Sequence, residues 1–295
     1  MPELPEVQTI ISDLNKKIKG DIIVGFWSDW PKALNPAHKN LCGGVKGIKF
    51  SDFKKEIKGK KIVKVERIGK NIFLRLSGGK TLYMHLKMTG HLLVKSGKGK
   101  EIKDYFSERV NQYIHHIWYL KSGRTLEFSD LRKFGKIILG SDEKINNLPE
   151  IRKLGTDAMS LEFSLKKFKE IMEKRGNRPI AEILIDQNSI SGIGNIYRSE
   201  ILYKAGILPQ RKVRELSDKE IRRIFSSIKK ILKKAIKLRG TSDSDYRDTS
   251  GAPGGFQKVI KVYRREGKKC EKCGTLIRRI KMGQRSVFFC PVCQK

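Results

Sequence analysis

The chain contains no apolar run approaching the ~18 residues that cross a bilayer and no internal repeat. A membrane-spanning protein and a repeat array are therefore not expected. The N-terminus opens on an acidic helix start rather than on a basic, apolar leader, which does not fit a secretory signal. Acidic residues are scarce, with 31 Asp and Glu against 64 Lys and Arg, a net charge of +33. Cysteine is scarce too. Five residues, an odd number and without a leader, argue for a reducing compartment and against a disulfide framework. Cys42 stands apart from the other four and is expected to be an inert thiol.

The basic excess does not come from a single tail; lysines and arginines occur almost everywhere along the 295 residues. A surface this basic repels itself unless it meets a polyanion, so nucleic acid is the first partner to consider. Hydrophobic residues make up 38% of the chain, enough for packed cores, and the length suits about two domains. Val7, Ile10, Ile11, Leu14 and Ile18 have helical spacing. Short apolar or alternating runs follow at 21–27, 61–67, 71–76, 80–86, 91–95, 113–120, 124–129 and 136–139, punctuated by glycines. They read as an antiparallel β-sandwich or barrel, with a short helix near 50–58 and a loop over 95–111. After about residue 140 the pattern turns helical, at 164–174, 179–186, 194–204 and 218–238. Ser217 and Glu220 give the last of these a capping-box signature. Residues 240–257 are rich in Gly, Ser and Asp and read as a mobile loop.

Several stretches carry chemistry. Cys270-x2-Cys273 and Cys290-x2-Cys293 have the spacing of a four-thiolate zinc site, closed and therefore structural. In MPELPEV (residues 1–7), Pro2 becomes a free secondary amine if Met1 is removed. Such an amine has a pKa near ~8 and attacks aldehyde-level carbon to give a Schiff base. Glu3 and Glu6 stand beside it as proton donors and acceptors. The same residues also make an ordinary helix start. HLKMTG (85–90) and SDLRKFG (129–135) each set a large apolar residue, Met88 or Phe134, beside cations in a turn. These side chains are either wedges for a base stack or core residues at strand ends. Finally, Gly192 and Gly194 precede a helix beginning near Asn195, where backbone amides can bind an anion.

Together MPELPEV, RIGKNIF (67–73), HLKMTG, DLRKFG, DQNSISGIGNIYRSE (186–200) and the finger ending GQRSVFFCPVCQK resemble, in order and across nearly the whole chain, the formamidopyrimidine-DNA glycosylases of base-excision repair. The resemblance implies an α+β fold: an N-terminal antiparallel β-sandwich with flanking helices (1–140), a linker (141–160), a helix–two-turn–helix domain with a mobile lesion-capping loop at 240–257 (161–257), and a β-hairpin finger (258–295) holding one zinc ion. It implies a bifunctional glycosylase and abasic-site lyase that removes oxidised purines, chiefly 8-oxoguanine opposite cytosine and formamidopyrimidines, from double-stranded DNA by β,δ-elimination. Pro2 is then the nucleophile, Glu3 the acid at the sugar ring oxygen, Glu6 a second carboxylate and Lys70 a phosphate holder. Asn195 and Arg285 become phosphate clamps, and His85 a backbone contact. Met88, Arg132 and Phe134 become the residues inserted into the stack. A monomer in a bacterial-type cytoplasm, associated with the nucleoid, is expected. Gln8 stands where glutamate is common, and SDSDYRD (242–248) is more acidic than usual. An endonuclease VIII-like glycosylase for oxidised pyrimidines and a non-catalytic zinc-finger binder are the rival readings.

Overall fold

The computed structural model describes residues 1–34, 49–96, 105–243 and 245–295. Cys42 and part of the 95–111 loop lie outside them. The chain divides into two compact units, Met1–Lys153 with Leu238–Gly255, and Leu154–Lys237 with Phe256–Lys295.

The first unit begins with helix α1 (Leu4–Lys17), whose Val7, Ile10, Ile11 and Leu14 are all buried, as their spacing requires. Among the described residues eight strands follow: β1 (Ile23–Ser28), β2 (Ile62–Ile68), β3 (Asn71–Leu76), β4 (Lys80–His85), β5 (His91–Lys95), β6 (Ile114–Leu120), β7 (Thr125–Ser129) and β8 (Lys136–Ser141). They form two four-stranded antiparallel sheets, ordered β1-β6-β7-β5 and β2-β3-β4-β8. A single core joins them: Phe26, Trp118, Leu126 and Phe128 from one sheet meet Ile72, Leu74, Leu82, Met84 and Ile137 from the other. The sandwich is thus the expected one. Burial of each such side chain contributes about 1.5–3 kcal/mol before conformational entropy is subtracted. Helix α2 (Phe50–Ile57) buries Phe53 and Ile57 against the same core.

Two connections of this sandwich matter for function. The chain leaves one sheet at the end of β4 and enters the other at β5, and it returns from β7 to β8. Because His91 pairs with Ser129 and His85 with Lys136, both crossovers lie side by side at one end. HLKMTG and SDLRKFG are these crossovers.

Two expected boundaries move. Residues 142–152, expected as linker, form short helices α3 (Asp142–Asn146) and α4 (Pro149–Arg152) within the first unit, and the division falls after Lys153. The 240–257 loop, expected with the helical domain, packs mostly on the sandwich. Tyr246 joins the core, and the Val94 N–H of edge strand β5 donates to the Thr249 carbonyl (2.8 Å), which occupies an otherwise open strand edge. Thr241, Asp248 and Thr249 are buried there.

The second unit contains a short parallel pair, β9 (Thr156–Asp157) and β10 (Ile190–Ser191), and helices α5 (Leu165–Glu173), α6 (Ile180–Ile185), α7 (Asn195–Ala205) and α8 (Asp218–Lys237). The capping box forms as expected: Glu220 Oε2 accepts from the Ser217 N–H (2.8 Å) and Ser217 Oγ from the Glu220 N–H (3.3 Å). Ile224, Ile228, Leu232 and Ala235 form the buried stripe of α8. The hairpin β11 (Arg278–Met282) and β12 (Arg285–Phe289) completes the unit.

Candidate active centre and nucleic-acid interface

At the start of α1, Pro2, Glu3 and Glu6 are buried. Glu3 is the N-cap and closes a capping box with Glu6: its N–H donates to Glu6 Oε2 at 2.7 Å, and its side chain accepts from the Glu6 N–H. The other oxygen, Glu6 Oε1, accepts from the Thr241 N–H, also at 2.7 Å. Gly240 comes so close that a Cβ there would sit 2.7 Å from Glu6 Oε1, and its φ of +83° already favours glycine. The residues predicted as a chemical site in MPELPEV are thus also the ones that build the helix start. Arg239 reinforces it by reaching both Asp13 of α1 and Asp248 (Nε–Oδ2 2.8 Å). Asp248, one of the acids that make SDSDYRD unusual, is consumed in this pairing and in accepting the Ser250 and Ala252 N–H groups.

Lys70 lies in the β2–β3 turn and is only 6% exposed. The turn is tied to α1 through Arg67, whose Nε donates to Gln8 Oε1 (2.7 Å). The glutamine that departs from the common sequence thus has a definite task as the acceptor for Arg67. Asn71 pairs with His85 in the sheet, so the Lys70 turn stands at the same end as the two crossovers. His85 Nδ1 accepts the Lys87 N–H (3.0 Å). Burial first, then the charges of Lys87, Lys70 and Lys136, push its pKa down to about 3. A neutral imidazole with Nδ1 engaged carries its proton on Nε2, as a hydrogen-bond donor.

On the crossovers, Met88 is 46% and Phe134 51% exposed, so neither is a core residue. Arg132 lies between them: its Nη1 approaches Met88 Sδ (3.1 Å) and its guanidinium stacks over the Phe134 ring at 4.5 Å. The buried Asp130 holds this triplet. Its carboxylate accepts the N–H groups of Arg132 (3.2 Å), Phe134 (2.8 Å) and Gly135 (2.7 Å) and the Thr89 hydroxyl, so both turns share one anchor. Lys87 and Lys133 adopt positive φ, each 53°, which tightens the turns.

In the second unit, Gln187 clamps the double turn before α7. Its Nε2 donates to the Ile193 carbonyl (2.8 Å) and its Oε1 accepts the Gly192 N–H (3.0 Å). Asn195 opens α7 with its Oδ1 accepting from Arg198, a fully buried arginine. On the finger, Arg285 is exposed at the start of β12, opposite Met282. The four thiols of Cys270, Cys273, Cys290 and Cys293 lie within 4.8 Å of one another, with Cys270–Cys293 at 3.8 Å and Cys273–Cys290 at 3.4 Å. A tetrahedral zinc ion with bonds of about 2.3 Å requires sulfur separations near ~3.8 Å, so the cage fits zinc. The Tyr203 hydroxyl stands 3.3 Å from Cys270 Sγ as an outer-shell partner.

Comparison with known proteins gives three consecutive family matches: the formamidopyrimidine-DNA glycosylase N-terminal domain over residues 1–137, the H2TH domain of the same enzymes over 154–246, and the zinc finger found in FPG and IleRS over 267–295. The formamidopyrimidine-DNA glycosylase of Pelotomaculum thermopropionicum is 37% identical over all of this chain and 99% of its own. The chain belongs to the formamidopyrimidine-DNA glycosylase family. Within this family, the enzyme of Heliobacterium modesticaldum is 35% identical over the whole of both chains. The fold matches that of Lactococcus lactis Fpg solved with DNA containing an abasic site (TM-score 0.81, 31% identity, 99% of each chain). It also matches the same enzyme solved with N7-benzyl-Fapy-dG DNA (0.81, 32%, 100% of each) and with oxidised-pyrimidine DNA (0.80, 31%, 100% of each). The four-cysteine cage is the structural zinc site of the family's finger.

Sequence reasoning overlooks the residues that position the candidates. Asp130 is visible as the aspartate of SDLRKFG, but its burial depends on where β7 ends. Arg239 and Arg198 read as two more cations in a basic chain, and only the fold reveals their carboxylate and amide partners.

Proposed function

We propose that this chain excises oxidised purines from double-stranded DNA and cleaves the resulting abasic site, with Pro2 as nucleophile. Family membership along the full length supports the glycosylase/lyase activity. The observation that supports the residue assignment is the buried Pro2-Glu3-Glu6 start of α1, in which Glu6 Oε2 accepts from the Glu3 N–H and Glu6 Oε1 from the Thr241 N–H.

The chemistry follows from what these groups can do. Once Met1 is removed, the Pro2 nitrogen has a lone pair; while Met1 remains, it is an amide. The amine attacks C1′ as the bond to the damaged base breaks; the base leaves with the bonding electron pair and takes up the proton that the resulting ammonium nitrogen loses. Glu3 delivers a proton to the sugar ring oxygen, the ring opens, and the nitrogen is left as an iminium. That cation acidifies the neighbouring sugar proton. β-Elimination expels the phosphate on one side and δ-elimination that on the other. Glu6, with each oxygen accepting from a backbone N–H, acts by position. Lys70 and the Nε2–H of neutral His85 hold backbone phosphate at the same end of the sandwich. Zinc folds the finger and takes no part in the reaction.

A base inside a duplex is inaccessible to a terminal amine and must be extruded at a cost of a few kcal/mol. Met88 and Phe134 fill the space it leaves, and Arg132 reads the orphaned cytosine. Asn195 and Arg285 grip phosphates, and the basic surface supplies the salt-dependent, non-specific binding needed for search. Each chain carries a full set of these groups, so we assign a monomer working at the nucleoid in the cytoplasm. Among the described residues no helix is long and apolar enough to cross a membrane.

The test is borohydride trapping on duplexes containing 8-oxoguanine opposite cytosine. Met1-processed protein should give a covalent complex that Pro2→Gly abolishes. A trapped species that survives this substitution would remove Pro2 from the mechanism. A neighbour of this fold has been solved with oxidised-pyrimidine DNA, so a matching pyrimidine duplex belongs in the same experiment. Faster trapping there would favour the rival substrate class.

A further inference from the structure

We propose that Arg198 is a positioning residue that sets the Asn195 amide and the finger hairpin as a single phosphate grip. This rests on the reading of Asn195 and Arg285 as phosphate clamps.

Arg198 is fully buried. Burial of a guanidinium is costly unless its donors meet well-placed acceptors. Its two terminal nitrogens reach neutral acceptors on three separate elements. Nη1 donates to the Ala181 carbonyl in α6 (3.3 Å). Nη2 donates both to Asn195 Oδ1 and to the Ser286 carbonyl in β12 (3.3 Å). Two consequences follow from the donor inventory. With Oδ1 occupied by a guanidinium, which cannot accept, the Asn195 amide cannot flip, and its NH2 is the end left to face a ligand. Ser286 directly follows Arg285, so the same Nη2 tethers the backbone that carries the exposed finger arginine. One planar fork thereby fixes both the helix clamp and the finger clamp. The cation also adds positive charge at the N-terminal end of α7, where backbone amides already favour anions.

A rigid fork is required here, since a lysine ammonium is a point donor on a flexible stem. Arg198→Lys therefore keeps the charge and loses the alignment.

The experiment is a double-mutant cycle read as the Kd for duplex carrying a non-cleavable abasic analogue at fixed salt, combining Asn195→Ala with Arg198→Met and, separately, with Arg198→Lys. Zinc content and thermal melting confirm that each variant is folded. In the parent, Asn195→Ala should weaken binding about tenfold. In either Arg198 background the same substitution should cost less than about twofold, because the amide is no longer held. The trapping rate at saturating DNA should stay near that of the parent, giving a change in KM without one in kcat. A purely structural arginine would lower melting temperature and leave the full Asn195→Ala penalty, and that result overturns the proposal. If Asn195→Ala is silent in the parent as well, the phosphate-clamp reading itself fails and this proposal with it. Should Arg198→Met not fold, the Arg198→Lys arm alone decides.

Discussion

The Thr241 N–H donates to Glu6 Oε1 across 2.7 Å, so the first turn of α1 and the segment that follows α8 share one carboxylate. Both ends of that carboxylate are committed to backbone amides, the second being the N–H of Glu3. The Glu6 carboxylate, one turn from the proposed nucleophile Pro2, is thus set by a partner 235 residues away in the chain, rather than by the helix start alone.

That relationship predicts how the loop controls chemistry. Glu6→Gln replaces one acceptor oxygen by an NH2 that faces a backbone donor, and it should cost about 1–3 kcal/mol of stability. Gly240→Ala should be worse, because alanine at φ +83° is strained by about 1–2 kcal/mol and its Cβ would meet Glu6 Oε1 at 2.7 Å. In both variants single-turnover trapping should slow much more than duplex binding weakens. Equal losses in trapping rate and in Kd would show that the Glu6–Thr241 bond serves folding only.

The exposed pair on the crossovers gives a prediction that separates wedge from core. Met88→Ala and Phe134→Ala should change stability by no more than about 0.5 kcal/mol, as for surface positions, whereas truncating buried side chains of this size costs about 2–5 kcal/mol. Excision of 8-oxoguanine should nonetheless slow by roughly tenfold or more, the equivalent of about 1.4 kcal/mol of help in base extrusion. Calorimetry and excision kinetics on the same samples check both halves. Asp130→Asn should lower stability and also blur discrimination between cytosine and adenine opposite the lesion, since its carboxylate orients Arg132 and Phe134 together.

His116 should contribute to acid sensitivity. It is fully buried, ringed by Phe26, Trp30, Trp118 and Phe128, and its pKa is pushed down to about 3, first by burial and then by neighbouring His115. Among the described residues neither ring nitrogen has a hydrogen-bond partner. The folded protein keeps it neutral while the unfolded chain protonates it below about 6.5. Its contribution is therefore fully present above about pH 6.5 and is lost as pH falls toward 3. Between about pH 6.5 and 5 the loss should approach about 2 kcal/mol from this group. His116→Phe should flatten that part of the stability–pH profile measured by urea unfolding; an unchanged profile would show that the proton is accommodated in the native state.

Much of this is legible in the sequence because its patterns and the fold demand the same thing. The glycine-punctuated runs become the eight strands of the sandwich, and the stripe from Ile224 to Ala235 becomes the buried face of α8. Motifs held together by local chemistry, such as the paired cysteines and the Ser217–Glu220 box, are likewise readable. What escapes are polar pairings that depend on long-range approach. Nothing local to residues 238–255 reveals that they pack on the sandwich, because Tyr246 becomes core and Thr249 covers β5 only after the sheets have formed. Arg198 and Asp130 are hidden for a related reason. A single buried charged residue has no periodic signature, and its acceptors or donors lie on other elements.

Zinc removal should unfold the finger and with it one clamp. The finger's own core is small: Ile277, Phe288, Cys270 and Cys290 cluster with Tyr203 and Val262, too little apolar area to hold two strands without the metal. The C-terminal end is stitched to the turn after α7, with Gln294 Nε2 donating to the Ile207 carbonyl (2.7 Å) and the Lys295 N–H to that of Gly206 (3.1 Å). Chelation should therefore release one zinc per chain and leave the sandwich folded. It should free Arg285 from its fixed place in β12. The Kd for duplex should rise by at least about tenfold, and the slope of log Kd against log salt should become shallower by about 1 for each phosphate that the finger no longer neutralises. Cys273→Ser should reproduce both effects without chelator. Titration of abasic duplex into metal-free protein across a salt series reads them directly, and a slope unchanged after complete zinc loss would show that the finger makes no ionic pairing with DNA.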